Sequence, residues 1–333
     1  MPTLPAPRGP LSAHAIGALA RPAGASLPAP PPVHDDPSTG DDLHLALYCC
    51  YELHYRGFDG VDPGWEWDPA LLAFRAKLET AFETALRAEC GAPHVMPPAA
   101  VGAWLWRFVD SLDGPSLSGH VVAEGTIQQL REFAVHRSAY QLKEADPHTF
   151  AIPRVWGAAK SALVEIQADE YGGGKPGQSH AELFATTMRA LELDDAYGAY
   201  LDRLPGSTLA TCNLVSMLGL HRRLRGALIG HLAVFEMTSV GPMARYATAL
   251  RRHGLGDEAA RFYDVHVTAD AHHQELAAGP MAEGLVAAEP ALLADLQFGA
   301  RALVAVEGRF AAHLLRAWRA GESSLRTVTP VAA

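Results

Sequence analysis

From Asp42 onward, apolar residues return at every third or fourth position, and no run alternates apolar and polar residues for long enough to make a sheet. That recurrence paints a stripe on a helix, and a striped helix can bury its apolar face only against other elements. With no strands to offer, those elements must be helices. The punctuation agrees. PALLAFRAKLETAFETALRAECG runs from a proline start at Pro69 to a glycine stop at Gly91, the common asymmetry of helix ends. SHAELFATTMRALELDD begins with Ser179 and carries Glu182 three residues on, a capping box. HLALYCCYELHYR and GTIQQLREFAVHRSAYQLKEADPHTF read as further helices, the second predicted to run to Asp146, where Pro147 disfavours helix. WGAAKSALVEIQADEYGGGKPG is predicted to stop at three glycines. STLATCNLVSMLGL, HRRLRGALIGHLAVFEMTS, PMARYATALRRHG, DEAARFYDVHVTADAHHQELAAG and EPALLADLQFGARALVAVEGRFAAHLLRAWRAG complete an all-α bundle, whose ligands are expected to project inward from several helices.

At 333 residues, 49% hydrophobic and 19% charged, the chain has the material for a large buried core. Its net charge of −10 argues against nucleic acid or an anionic membrane as partner. Small molecules or proteins remain. Cys49, Cys50, Cys90 and Cys212 lack the spacing of a thiolate metal site and the density of a disulfide framework, so a reducing cytoplasm is the expected setting. The longest apolar run, ALIGHLAVFEM, is interrupted by His231 and Glu236, which argues against a membrane span. Residues 1–40, rich in Pro and Ala, read as an unfolded leader. Residues 41–325 read as one helical domain, with early helices over 42–125 and a core over 130–318, followed by a tail over 326–333.

Chemistry concentrates in DVHVTADAHH. His266, Asp270 and His273 stand four and three apart, on one helix face, and two imidazoles with a carboxylate suit a transition metal. A solvated stripe has the same spacing. Glu236 lies among apolar neighbours, where an isolated carboxylate must be paired, protonated or metal-bound; the competing partners are Arg222, Arg223, Arg225 and Arg245. Glu170 sits at a helix C-terminus beside Asp169, where the helix dipole disfavours further negative charge. A cation should lie close, and Lys175 is the ordinary alternative to a metal. The glycines after Glu170 let the chain turn and bring His180 back toward it. Glu144 closes a stripe with His136 and Tyr140, or is a solvated acid at a helix end. Three imidazoles and four carboxylates without a thiolate suit two iron or manganese ions in a helical bundle.

KEADPHTFAIPR, ALVEIQADEYGGG followed by His180, GLHRRLRGALIGHLAVFEMTS and FYDVHVTADAHH together resemble the heme-oxygenase-like diiron oxidases, also described as iron-containing redox enzymes. The resemblance covers roughly 130–318. It implies a bundle of about seven core helices without heme, holding two irons that use O2 as co-substrate. Glu170 and His180 then resemble ligands of one iron, His266, Asp270 and His273 those of the last metal helix, and Glu236 the acid that completes the pair. Glu144 matches a carboxylate that only some members possess, and N-oxygenation of amine or guanidine nitrogen recurs among those. Other members desaturate or cleave amino or fatty acids.

For a substrate, Arg222 and Arg225 in HRRLRG are candidate carboxylate clamps, although such a run is also an ordinary solvated or acid-paired face. Tyr140, Tyr171 and Phe235 are candidate pocket walls or simply core aromatics. Two other classes stay open: a metal-free thiaminase-like enzyme with Cys212 as nucleophile, and a helical metal-binding protein without turnover. An external electron donor and a homodimer are the expected protein partners.

Overall fold

The computed structural model describes residues 1–114 and 116–327, and the described residues contain no strand. In chain order the helices are α1 (Pro10–Leu19), α2 (Asp41–Glu52), α3 (Pro69–Cys90), α4 (Val101–Asp110), α5 (Leu117–Ala123), α6 (Ile127–Gln141) and α7 (Asp146–Thr149). They continue as α8 (Gly157–Glu170), α9 (His180–Ala190), α10 (Gly206–Leu220), α11 (Arg225–Arg252), α12 (Asp257–Leu276), α13 (Gly284–Ala288) and α14 (Leu293–Arg319). The fold is the expected all-α bundle. Its spine is α11, which packs along both α12 and α14, while α10 lies on α2 and α14 and α9 closes on α12.

Two glycines set the closest approach in the spine. A Cβ on Gly230 of α11 would collide with the Leu296 carbonyl, and one on Gly299 of α14 with the Ala227 carbonyl. Only side chains of hydrogen let the two backbones touch. The local caps behave as read: Asp68 accepts from the amides of Ala70 and Leu71 at the start of α3, Gly91 ends that helix at φ 67°, and Ser179 and Glu182 form the capping box of α9.

Four expectations change. Residues 1–40 are not an unfolded leader, because α1 buries Leu11, Ala15, Ala18 and Leu19 in the main core. Its N-terminus is capped from outside: Asp42 of α2 accepts from the amides of Leu11 at 2.9 Å and Ser12 at 2.7 Å. Composition favours disorder, but a partner inside the same chain supplies the burial that α1 lacks alone. Of the tail placed at 326–333, residues from 328 on lie outside the described residues, while Arg326 donates to Asp41 at 2.7 Å.

Second, α6 ends at Gln141, ahead of Asp146, because tertiary partners claim the next residues: Arg56 donates to the Leu142 carbonyl at 3.0 Å and Lys143 reaches Glu52. Third, the two segments split at Pro242 are one helix, α11. An interior proline costs about 3 kcal/mol locally, and packing of both halves on α12 and α14 offsets it. By length and composition this helix is apolar enough to cross a membrane, yet it is a core helix carrying buried His231 and Glu236. Fourth, the chain does not stop at Gly279 but continues as a π-helical turn over Ala277–Glu283, packed on α8.

Candidate metal centre

Glu170 is the last residue of α8. The glycines behind it adopt positive φ, at 65°, 61° and 72° for Gly172, Gly173 and Gly174, and a Cβ on Gly172 would collide with the backbone of Gln178. That tight return starts α9 beside the end of α8 and sets His180 Nδ1 2.7 Å from Glu170 Oε2. α12 turns His266, Asp270 and His273 inward, α11 adds Glu236, and Glu144 enters from the turn between α6 and α7. All seven side chains are buried.

Their donor atoms form two overlapping groups, each within 4.8 Å: Glu144, Glu170, His180 and His266, and Glu170, Glu236 and His273. Glu170 belongs to both. Asp270 adjoins the second, with Oδ1 3.4 Å from His273 Nδ1. His266 Nδ1 lies 2.8 Å from the Phe262 carbonyl, which fixes that nitrogen as the N–H and leaves Nε2 turned toward Glu144 Oε2 at 3.7 Å.

The decisive feature is what these atoms lack. Both carboxylate oxygens of Glu144, Oε2 of Glu170, Nδ1 of His180 and Oδ1 of Asp270 are buried without a hydrogen-bond partner. Glu170 and His180 face one another closely but not in hydrogen-bond geometry. A buried polar atom left unsatisfied costs about 1–3 kcal/mol and a charged one more, so a cluster of them favours uptake of protons or of a cation. Burial first, then the charges of Glu170, Asp270 and Glu236, push the Glu144 carboxyl well above its ordinary range. Burial likewise raises Glu170 to about 7 and Glu236 to about 8. Burial also lowers His180, to about 4, and His266. Neutral imidazole is the form that binds metal. His273 differs: burial lowers it, but Asp270, Glu236 and Asp169 outweigh burial and raise it to about 11, so a metal there would displace a proton. The mixed nitrogen and oxygen set fits iron on these grounds.

The rival partners are engaged elsewhere. Arg223 pairs with Glu83, Arg225 with Glu289, and Arg245 donates to Ser118. Glu236 instead faces His273 Nδ1 at 3.2 Å. Lys175 is exposed. Neither Arg222 nor Arg225 lines this cavity: Arg222 is exposed and Arg225 is held by its ion pair. Tyr171 is also displaced from the predicted wall, 39% exposed and bonded through its hydroxyl to Asp146 at 2.8 Å and Thr149 at 2.9 Å. His136 turns away to Thr208 and Ser324. Cys212 is buried outside the cavity, and burial pushes its thiol up to about 11, so it is no activated nucleophile.

Tyr140 and Phe235 do line the cavity and meet edge to face at 5.5 Å. Sequence reasoning missed His148, Gln167 and Leu232 on the same wall and His231 behind it. His148 Nε2 and His231 Nδ1 are 3.1 Å apart. The one local signal was position, since His148 lies four residues after Glu144; its pairing with His231 is a long-range fact. Asp169, read only as a repelling charge, lies 3.0 Å from His273 Nε2.

The family model described as iron-containing redox enzyme matches residues 131–308, a span that holds all seven donors. No curated protein matches the chain.

Proposed function

The chain belongs to the iron-containing redox enzymes of heme-oxygenase-like fold, a family of oxidoreductases, and from that premise we propose that it is a non-heme diiron, O2-dependent oxygenase of a small metabolite. The observation that carries this is the set of buried, unpartnered oxygens on Glu144, Glu170 and Asp270. Four carboxylates and three imidazoles exceed what one ion takes and differ from the few axial ligands a heme iron needs. Glu144, Glu170, His180 and His266 would hold one ion, and Glu170, Glu236, Asp270 and His273 the other. Manganese shares the same donor preference.

Two ferrous ions would supply the electrons that activate dioxygen for transfer to substrate. The chain's own part is positional. Tyr140, Leu232 and Phe235 wall the cavity with apolar surface and exclude water from it. His148, lowered to about 3 by burial, presents a neutral imidazole to the same space. It accepts or donates one hydrogen bond according to the proton it shares with His231. Among the described residues no lysine or arginine lines the cavity, whereas an amine or guanidine nitrogen finds Glu144 and His148 there. That supports N-oxygenation of an amino-acid-like amine or guanidine over oxidation at a fatty-acid chain.

Anaerobic Fe(II) loading followed by metal analysis and oxygen uptake tests the centre. About two irons per chain with oxygen consumption is expected; a chain that retains no iron ends the proposal. Metal retained without oxygen uptake favours a binding protein. A screen of amino-acid-derived amines and guanidines, read by mass for one added oxygen on nitrogen, tests the reaction. Loss of hydrogen or a cleaved carbon–carbon bond in the products assigns it instead to desaturation or cleavage.

A further inference from the structure

A histidine ligand offers the metal one nitrogen, and the other must hold its proton against an acceptor, or the ring loses both its tautomer and its orientation. His266 solves this within its own helix through the Phe262 carbonyl. His273 has the opposite orientation. Its Nδ1 faces the cluster, 3.2 Å from Glu236 Oε2 and 3.4 Å from Asp270 Oδ1, and its Nε2 points outward to Asp169 Oδ2 at 3.0 Å. The ring is fully buried while the Asp169 side chain is 55% exposed.

We propose that Asp169 is a positioning residue: it accepts the Nε2 proton of His273 and so commits Nδ1 to metal. The proposal rests on the diiron reading above. It explains a conflict in the sequence. Two adjacent acids at the C-terminal end of α8 oppose the helix dipole, and each has a separate task. Glu170 turns to the ions, whereas Asp169 turns along α12 to hold the imidazole from behind. Among the described residues Asp169 makes no other side-chain hydrogen bond. Asp169 also lines an outer groove with Gly172, Lys175, Gln178 and Thr268, so the far nitrogen of a buried ligand is tied to a carboxylate in contact with solvent.

The test compares wild type with Asp169→Ala and Asp169→Glu in the full chain, by anaerobic titration with Mn(II) and with Co(II). Removing such a carboxylate behind a ligand costs about 10–100-fold in metal affinity. Asp169→Ala is expected to lose that much and to change the Co(II) absorption spectrum, with Asp169→Glu recovering most of both. The Co(II) spectrum and its recovery in Asp169→Glu are readouts that a merely structural role would not move. Wild-type affinity and an unaltered Co(II) spectrum in Asp169→Ala overturn the proposal and leave the metal centre standing. A wild-type chain that binds neither ion overturns both.

Discussion

Lys143 and Glu144 are neighbours in sequence, both buried, and their side chains enter two different kinds of interior. Lys143 Nζ meets Glu52 Oε2 at 2.7 Å, the Tyr197 hydroxyl donates to both Glu52 oxygens at 2.7 Å, and the ring of Tyr55 lies 4.1 Å from the ammonium. Every charge there has its counterpart. Glu144 has none: both oxygens are bare, and its nearest charges are other acids. Burial of a carboxylate therefore does not define the centre. What defines it is burial without donors, repeated on three acids, Glu144, Glu170 and Asp270, that converge.

The comparison breaks most visibly through opposite signs. Lys143→Met leaves the Glu52 charge buried with its main partner gone, and the expected loss is about 3–5 kcal/mol of folding stability, measured by denaturant unfolding. Glu236→Gln in the metal-free chain should do the reverse. Removing one acid from the crowded cluster relieves repulsion and burial by more than the lost contact with His273 costs, for a gain of about 1 kcal/mol near pH 8, together with loss of iron binding. His266→Ala or Asp270→Ala should likewise lower iron stoichiometry while leaving the helical far-UV spectrum intact. Full iron retention in either variant would remove that residue from the ligand set.

The same contrast separates what the sequence disclosed from what it concealed. Periodicity gave the helices because a stripe is a local property. It also put His266, Asp270 and His273 on one face, and an acid in an apolar run marked Glu236. The glycine return that brings His180 to Glu170 was readable because positive φ belongs to glycine. Partner choice across long separations was not. Nothing near Glu52 announces Lys143, and nothing near Asp169 announces His273. In HRRLRG, Arg223 pairs with Glu83 of α3 and Arg225 with Glu289 just beyond α13, and neither partner is near in sequence. The order of α1 was hidden for the same reason, since its cap, Asp42, belongs to the next helix.

A smaller effect sharpens the contrast through pH. Burial favours the neutral form of Glu132, but hydrogen bonds from Ser324, Trp318 and Ser323 outweigh it and hold this carboxyl below its ordinary value of 4.5. Its folded value lies under its unfolded one, so its stabilisation is complete above 4.5 and is lost as pH falls through the folded value. Glu132→Gln should therefore lower stability at neutral pH, where the carboxylate contributes in full, and flatten the acid limb of a stability–pH curve below 4.5. A variant with an unchanged acid limb would show that donors do not set this carboxyl, and the division drawn between the two interiors would weaken.

The smallest effect is expected at Glu144 itself. The other six donors stand on helices α8, α9, α11 and α12, whereas Glu144 stands on a turn held by its neighbours: Arg56 donates to the Leu142 carbonyl at 3.0 Å, Lys143 is clamped by Glu52, and Gln167 donates to the Ala145 carbonyl at 2.8 Å. The turn is thus built to keep one carboxylate in place without making it the scaffold of either ion. Glu144→Gln should keep iron, with affinity reduced by less than about tenfold, and should shorten the lifetime of the absorbance transient that follows oxygen exposure. Arg56→Ala frees the Leu142 carbonyl but leaves the carboxylate, so it should shift the same kinetics in the same direction by less. Stopped-flow decay in both variants measures this. Unchanged decay in Glu144→Gln would make Glu144 a bystander, its bare oxygens an unpaired burial like any other, and the N-oxygenation reading would lose the residue that favours it.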